Sequence, residues 1–145
     1  MFRRLITTTP TWFALPVRLA LGGIFVAHGL QKVFGMWGGQ GIKAFIENPA
    51  PYAFMRPSWL WMGAAAFGEL IGGALVFLGL LTRLGAFLLA FVMGVAILGV
   101  HWGSFFSSSK GIEYPLALFG MALALLVAGG GQASIDQKLM RSRRR

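Results

Sequence analysis

The sequence predicts an all-α integral membrane protein, a bundle of four transmembrane helices with its N and C termini both cytoplasmic. Three observations predict it. Four apolar runs, residues 12–34, 58–81, 84–104 and 114–131, each have about the 17–25 residues that a ~30 Å hydrocarbon core requires. The 145-residue chain is 57% hydrophobic and 12% charged, with a mean hydropathy of +0.71. That is more apolar surface than a soluble domain of this size can hide. Finally, the basic residues flank the runs instead of forming one patch, which is a membrane topology signal.

The charge also orients the bundle. With four spans, both termini and the Thr82-Arg83 turn share one side, which carries Arg3, Arg4, Arg83, Lys138, Arg141, Arg143, Arg144 and Arg145. The other side carries Lys43, Arg56 and Lys110, with Lys32 at a helix end. The richer side is the cytoplasmic one. The net charge of +9 therefore reads as topology and not as a nucleic-acid surface. The basic tail serves as a topology anchor or lies against anionic headgroups. The first run is retained and not cleaved as a signal peptide, because Arg18 interrupts it, it is too long, and no small-x-small site follows. With no cysteine, the chain forms no disulfide and offers no thiolate. One domain, residues 1–145, is all that fits.

Taken in order, Thr7-Thr8-Thr9-Pro10-Thr11 reads as an entry segment supplying hydroxyl caps to the first helix. Pro16 falls near its first turns, where a missing donor is tolerated. Residues 35–57 form the longest connection, broken by Pro49, Pro51 and Pro57. Within it Ile42, Phe45 and Ile46 share a helical face, predicting a short interfacial helix. Trp37, Tyr52, Trp59 and Trp61 gather at the same boundary as belt aromatics. The second and third spans make a tight hairpin about Thr82-Arg83, and the loop 104–112 has a flexible Ser-Ser-Ser-Lys-Gly tip. The fourth opens with Glu113-Tyr114-Pro115, suited to a helix start, and closes at Gly129-Gly130-Gly131. Gly68-x-x-x-Gly72 and Gly99-x-x-x-Gly103 suit close helix contacts, within the chain or in a homo-oligomer.

Glu69 is the functional signal. It sits mid-span in a run otherwise free of charge, at a cost of roughly 2.5–3.5 kcal/mol, so it requires a partner, a proton or a task. At 100° per residue, Arg18, His28 and Lys32 occupy an arc of about 80° on the first helix. Arg18 lies about 15 Å nearer the cytoplasm than His28. The topology puts His28 and Lys32 in the outer half, Glu69 near the midplane, and His101 and Glu113 at the outer ends of their helices. These groups are expected to converge on one outer-half cavity, with Gln31 and Trp102 in its lining. Each has a structural alternative. Lys32 can snorkel outward, Arg18 can anchor or pack, His101 and Glu113 can pair at the boundary, and Glu69 can pair with His28 or Lys32 as helix glue. Glu and His suit proton handling, and His beside Lys suits the oxygens of a quinone-like ring. No tight metal-ligand spacing and no phosphate-binding fingerprint is present, so neither a metal nor a nucleotide is predicted.

The chain resembles the DoxX family of four-helix membrane proteins, from about residue 18 to 136. The likeness lies in Arg18-Leu19-x-x-Gly22, His28-Gly29-x-x-Lys32, Glu69-x-x-Gly72-Gly73, Gly79-x-x-Thr82-Arg83, His101, Glu113-Tyr114-Pro115 and Gly129-Gly130-Gly131-x-x-Ser134-Ile135-Asp136. It implies a redox-associated role, since family members are linked to a thiosulfate:quinone oxidoreductase and to other membrane redox complexes. It also implies a bacterial inner-membrane location, a quinone as the bound group, and an oxidoreductase subunit as partner. The resemblance carries over to His28, Lys32, Glu69 and His101 as the quinone or substrate site, with Glu69 and His28 handling protons and Lys32 and His101 binding the substrate. The stripe and the topology add Arg18, Glu113, Trp102 and Gln31 as substrate-binding residues. Whether the chain is itself an enzyme stays open. A small transporter or proton pathway along the stripe, and a non-catalytic assembly subunit, are the alternatives.

Overall fold

In a computed structural model, which describes residues 6–142, all regular structure is helical. The helices are α1 (Ala14–Phe34), α2 (Gly41–Ile46), α3 (Ser58–Leu78), α4 (Thr82–Gly99), α5 (Glu113–Ala128) and α6 (Ile135–Ser142), with 3-10 turns at Met36–Gly38 and Ser107–Ser109. Arg3, Arg4 and residues 143–145, counted above toward the cytoplasmic charge, lie outside the described residues. Three helices, α1, α3 and α4, are long and apolar enough to cross a membrane. The fourth predicted span is present as a shorter apolar helix, α5, of 16 residues, or about 24 Å.

The predicted runs overshoot the helices at their C-terminal ends. Hydropathy continues past Leu78 and Ala128, but Gly79 (φ 69°) and Gly129 (φ 77°) leave helical geometry there. A glycine with positive φ ends a helix whether or not apolar residues follow. Gly35 (φ 70°) closes α1 in the same way, its N–H donating to the carbonyls of Leu30 and Gln31. Pro115 sits in the first turn of α5, where its missing N–H costs nothing.

Small residues set the packing of α1 on α3. A methyl group added to Gly22 would lie 2.7 Å from the Phe77 backbone, one on Gly73 2.8 Å from that of Val26, and one on Gly29 2.6 Å from Leu70. The contacts step in opposite directions along the two helices, so α1 and α3 run antiparallel with backbones nearly touching. α3 and α4 form the predicted hairpin, with Gly85 against the carbonyl of Gly72. Of the two predicted glycine pairs, only one member of each is tightly packed. Gly72 meets α4 and Gly99 meets Pro51 and Tyr52 of the long loop, whereas Gly68 has ordinary van der Waals space and Gly103 faces open space.

Leu21, Phe25, Val76, Leu89, Ala122 and Leu125 build one core shared by α1, α3, α4 and α5. Outward, Phe67, Ile71, Phe77, Leu78, Leu116 and Val127 are exposed. Large apolar side chains facing out along so many turns suit lipid and not water.

The threonine-rich entry segment does not cap α1, which has no side-chain cap bond. Instead it lies along the end of α5. Thr9 N–H donates to the Ala128 carbonyl at 2.9 Å, Gln132 N–H donates to the Thr11 carbonyl at 3.0 Å, and Gly131 N–H donates to Thr8 Oγ1. The glycine run lets the two strands of chain approach closely, and that contact takes the hydroxyl away from the helix.

Candidate functional site

The antiparallel register of α1 and α3 decides which polar groups meet. Gly29 lies against Leu70, so the next turn of α1 brings Lys32 opposite Glu69. Lys32 Nζ contacts Glu69 Oε1 and Oε2 at 2.5 Å each. The carboxylate end is buried, with a side chain 4% exposed, while the lysine is 27% exposed. Lys32 Nζ also lies 5.2 Å from the centroid of Phe45 on α2, a cation–π distance. The short helix predicted in the long connection thus brings Phe45 over the lysine.

On the far side of Glu69 is a cavity of about 330 Å³ between α3 and α4. Trp61, Met62, Gly68 and Glu69 line it from α3, Phe91 from α4, and Met55 from the long loop. Among the described residues, Glu69 is its single ionisable lining residue. The walls are otherwise apolar and aromatic, and Glu69 brings the carboxylate among them. Such a site suits a flat apolar molecule with a polar atom at one end.

The remaining predicted residues are not gathered there. Taking the mean direction of Gly22 and Gly29 as the line facing α3, Arg18 and Lys32 fall about 30° and 70° from it, but His28 falls about 110° away. His28 is accordingly exposed. An 80° arc can straddle the edge of a helix interface, and this one does. Gln31 is half-buried and Trp102 is exposed, and neither lines the cavity. His101 Nδ1 sits 2.7 Å from the Lys110 carbonyl, and Glu113 Oε1 accepts from the Ser107 N–H at 2.9 Å. Each is held by the backbone of the 100–112 loop, in place of a His101–Glu113 pair, because the loop folds back between the two helix ends.

Arg18 occupies a second site, about 21 Å along α1 from Lys32. Its side chain is buried, and Nε and Nη2 donate to the Val76 and Phe77 carbonyls at 3.0 Å. Nη1 donates to the Gly130 and Ala133 carbonyls at 2.8 and 2.9 Å. The first two are last-turn carbonyls of α3, at the end of the helix that attracts a cation; the Val76 carbonyl also accepts from the Gly79 N–H at 3.1 Å. Beside it, buried Asp136 accepts from the N–H groups of Leu81 and Thr82 at 2.8 and 2.9 Å and from Thr82 Oγ1 at 2.8 Å. It is the side-chain cap of α4, supplied from α6. Arg18 is therefore a clamp between helix ends, and the predicted polar stripe is two separate sites.

Asp136, Phe45, Met55 and Phe91 were not legible as site residues. Asp136 had a signal, being one of four acids in the chain and standing beside basic residues in an amphipathic segment. Met55 lies in an aperiodic loop, so nothing in the sequence aims it at the cavity.

The DoxX family model matches residues 13–102, a stretch that includes α1, α3, α4 and the Lys32–Glu69 pair. The chain belongs to the DoxX family. An uncharacterized protein of Haemophilus influenzae is 32% identical over 124 residues, 84% of this chain and 80% of the relative. The putative oxidoreductase CatD of Bacillus subtilis is 37% identical over 111 residues, 77% of this chain and 76% of the relative. No solved structure matches this DoxX chain. The family match stops short of Asp136, so the Arg18 clamp draws its last partners from beyond the matched region.

Proposed function

We propose that this DoxX protein is a four-helix bundle of the bacterial inner membrane, with both termini cytoplasmic, whose cavity beside Glu69 binds a quinone-type redox ring. The observation that carries the reading is the apolar chamber of about 330 Å³ with Glu69 as the sole ionisable residue among the described residues that line it. Trp61 and Phe91 offer ring faces, Met55 and Met62 offer adaptable thioethers, and the carboxylate offers an end group to a ring oxygen. The named oxidoreductase among its relatives supports a redox setting, in which the chain serves as the membrane subunit of an oxidoreductase assembly. Lys32 compensates the charge of Glu69 and holds its oxygens in place. His28, exposed on the outer face, has no role in this site. Purification from native membrane, with absorbance and mass spectrometry of the extract, tests the reading. A co-purified quinone that is reduced in amount by Glu69→Gln is expected, and its absence from both preparations contradicts it.

One observation favours a second reading. The Lys32–Glu69 pair joins α1 to α3, as interhelical glue would. On that reading Glu69→Gln lowers stability and changes no bound molecule. A proton path along the whole stripe has no such support, since all the Arg18 bonds given above go to backbone carbonyls at helix ends.

A further inference from the structure

The chamber beside Glu69 shares part of its wall with a second space. Met55, Trp61, Phe91 and Val95 also line a second, more open trough of about 700 Å³ that continues along α4 to α5 past Gly94, Phe119 and Leu123. The chamber with its single carboxylate thus adjoins a long apolar trough across shared wall residues.

The chemistry of that carboxylate is restrictive. As the anionic partner of Lys32, Glu69 accepts hydrogen bonds and has none to give. Lys32 Nζ takes one position on each oxygen, and an ionised carboxylate has about four, so acceptor capacity remains on this cavity-lining residue. Its charge is already matched, so a cationic guest is not required. A ring carbonyl placed there would face two lone-pair-bearing oxygens and be repelled. A ring hydroxyl would donate a charge-assisted bond, which is about twice as strong as a neutral one. Trp61, whose indole N–H is the other side-chain hydrogen-bonding group of the lining, donates only, and a ring hydroxyl can accept from it.

We infer that the site selects the reduced, hydroxyl-bearing form of a ring with a long apolar tail: a prenyl-type hydroquinone, its hydroxyl donating to Glu69 and its tail lying in the trough. This rests on the ring-binding reading above and adds to it the redox state and the shape of the ligand.

The test is anaerobic calorimetric titration of the full chain in phosphatidylcholine nanodiscs. The probes are decyl-tailed hydroquinone, the corresponding quinone, and the hydroquinone dimethyl ether. The hydroquinone should bind about ten- to a hundredfold tighter than either of the other two, the range expected of one hydrogen bond to a charged group. Glu69→Gln, whose amide both donates and accepts, should bring quinone and hydroquinone within a fewfold of each other. Gly94→Leu, which puts a side chain into the trough, should weaken the tailed hydroquinone while sparing a tail-less one. Equal affinities on the unmodified protein, or tighter binding of the quinone, would overturn the preference while leaving ring binding intact. No binding of any probe would overturn both. Because the dimethyl ether comparison uses the unmodified chain, a misfolded variant does not remove the test.

Discussion

The Lys32 side chain is 27% exposed and that of Glu69 only 4%, so the two partners depend on their ion pair unequally. Removing Lys32 strands a carboxylate among apolar side chains, and an unpaired buried charge costs about 3–5 kcal/mol. Removing the charge of Glu69 leaves a lysine that can swing toward the surface, at a cost of about 1 kcal/mol. Lys32→Met is therefore expected to lower thermal stability well below that of Glu69→Gln, and Lys32→Met combined with Glu69→Leu should recover most of the loss. Unfolding of the purified variants in one detergent measures this. Equal effects of the two single changes would show that Glu69 is not buried as described. At this scale, the sequence made Glu69 visible because a lone acid inside an apolar run has few explanations. It made His28 equally visible and misplaced it. The missing information was which edge of the arc faces α3, and Gly22 and Gly29 hold it, since backbones meet where side chains are absent.

At the scale of elements, helix positions follow from run length and helix ends do not. Residues 79–81 and 129–131 are as apolar as or little more polar than what precedes them, yet the backbone turns at Gly79 and Gly129. The antiparallel seating of α1 on α3 places Lys32 opposite Glu69, and Gly29 is its tightest point, a methyl group there lying 2.6 Å from Leu70. Gly23, six residues earlier, has nothing within 4 Å. Gly29→Ala should destabilise by about 1–3 kcal/mol, whereas Gly23→Ala should be neutral or slightly stabilising. Thermal melts of the two variants side by side provide the check, and a matched loss at both positions would mean the two helices do not meet along this line. The loop carrying Met55 had no periodicity to read, so its place over the cavity comes only from three-dimensional packing.

For the whole molecule, the Arg18 and Asp136 sites tie one end together, while the Lys32–Glu69 pair and the cavity lie toward the other. In the proposed topology the clamped end is the cytoplasmic one. Because the chain has no cysteine, single introduced thiols report sidedness directly. Ser108→Cys should react with a membrane-impermeant maleimide on intact spheroplasts, and Ser142→Cys only after the membrane is disrupted. The reverse pattern would invert the topology. The most direct test of the central claim is photolabelling of the protein in native membrane with an azido derivative of a prenylated ring. Adducts are predicted on residues 55–62 and 88–95, around Trp61 and Phe91, and to disappear under excess unlabelled ligand. Adducts spread along outward positions such as Ile71, Phe77 and Leu116, undiminished by competitor, would contradict a binding site beside Glu69.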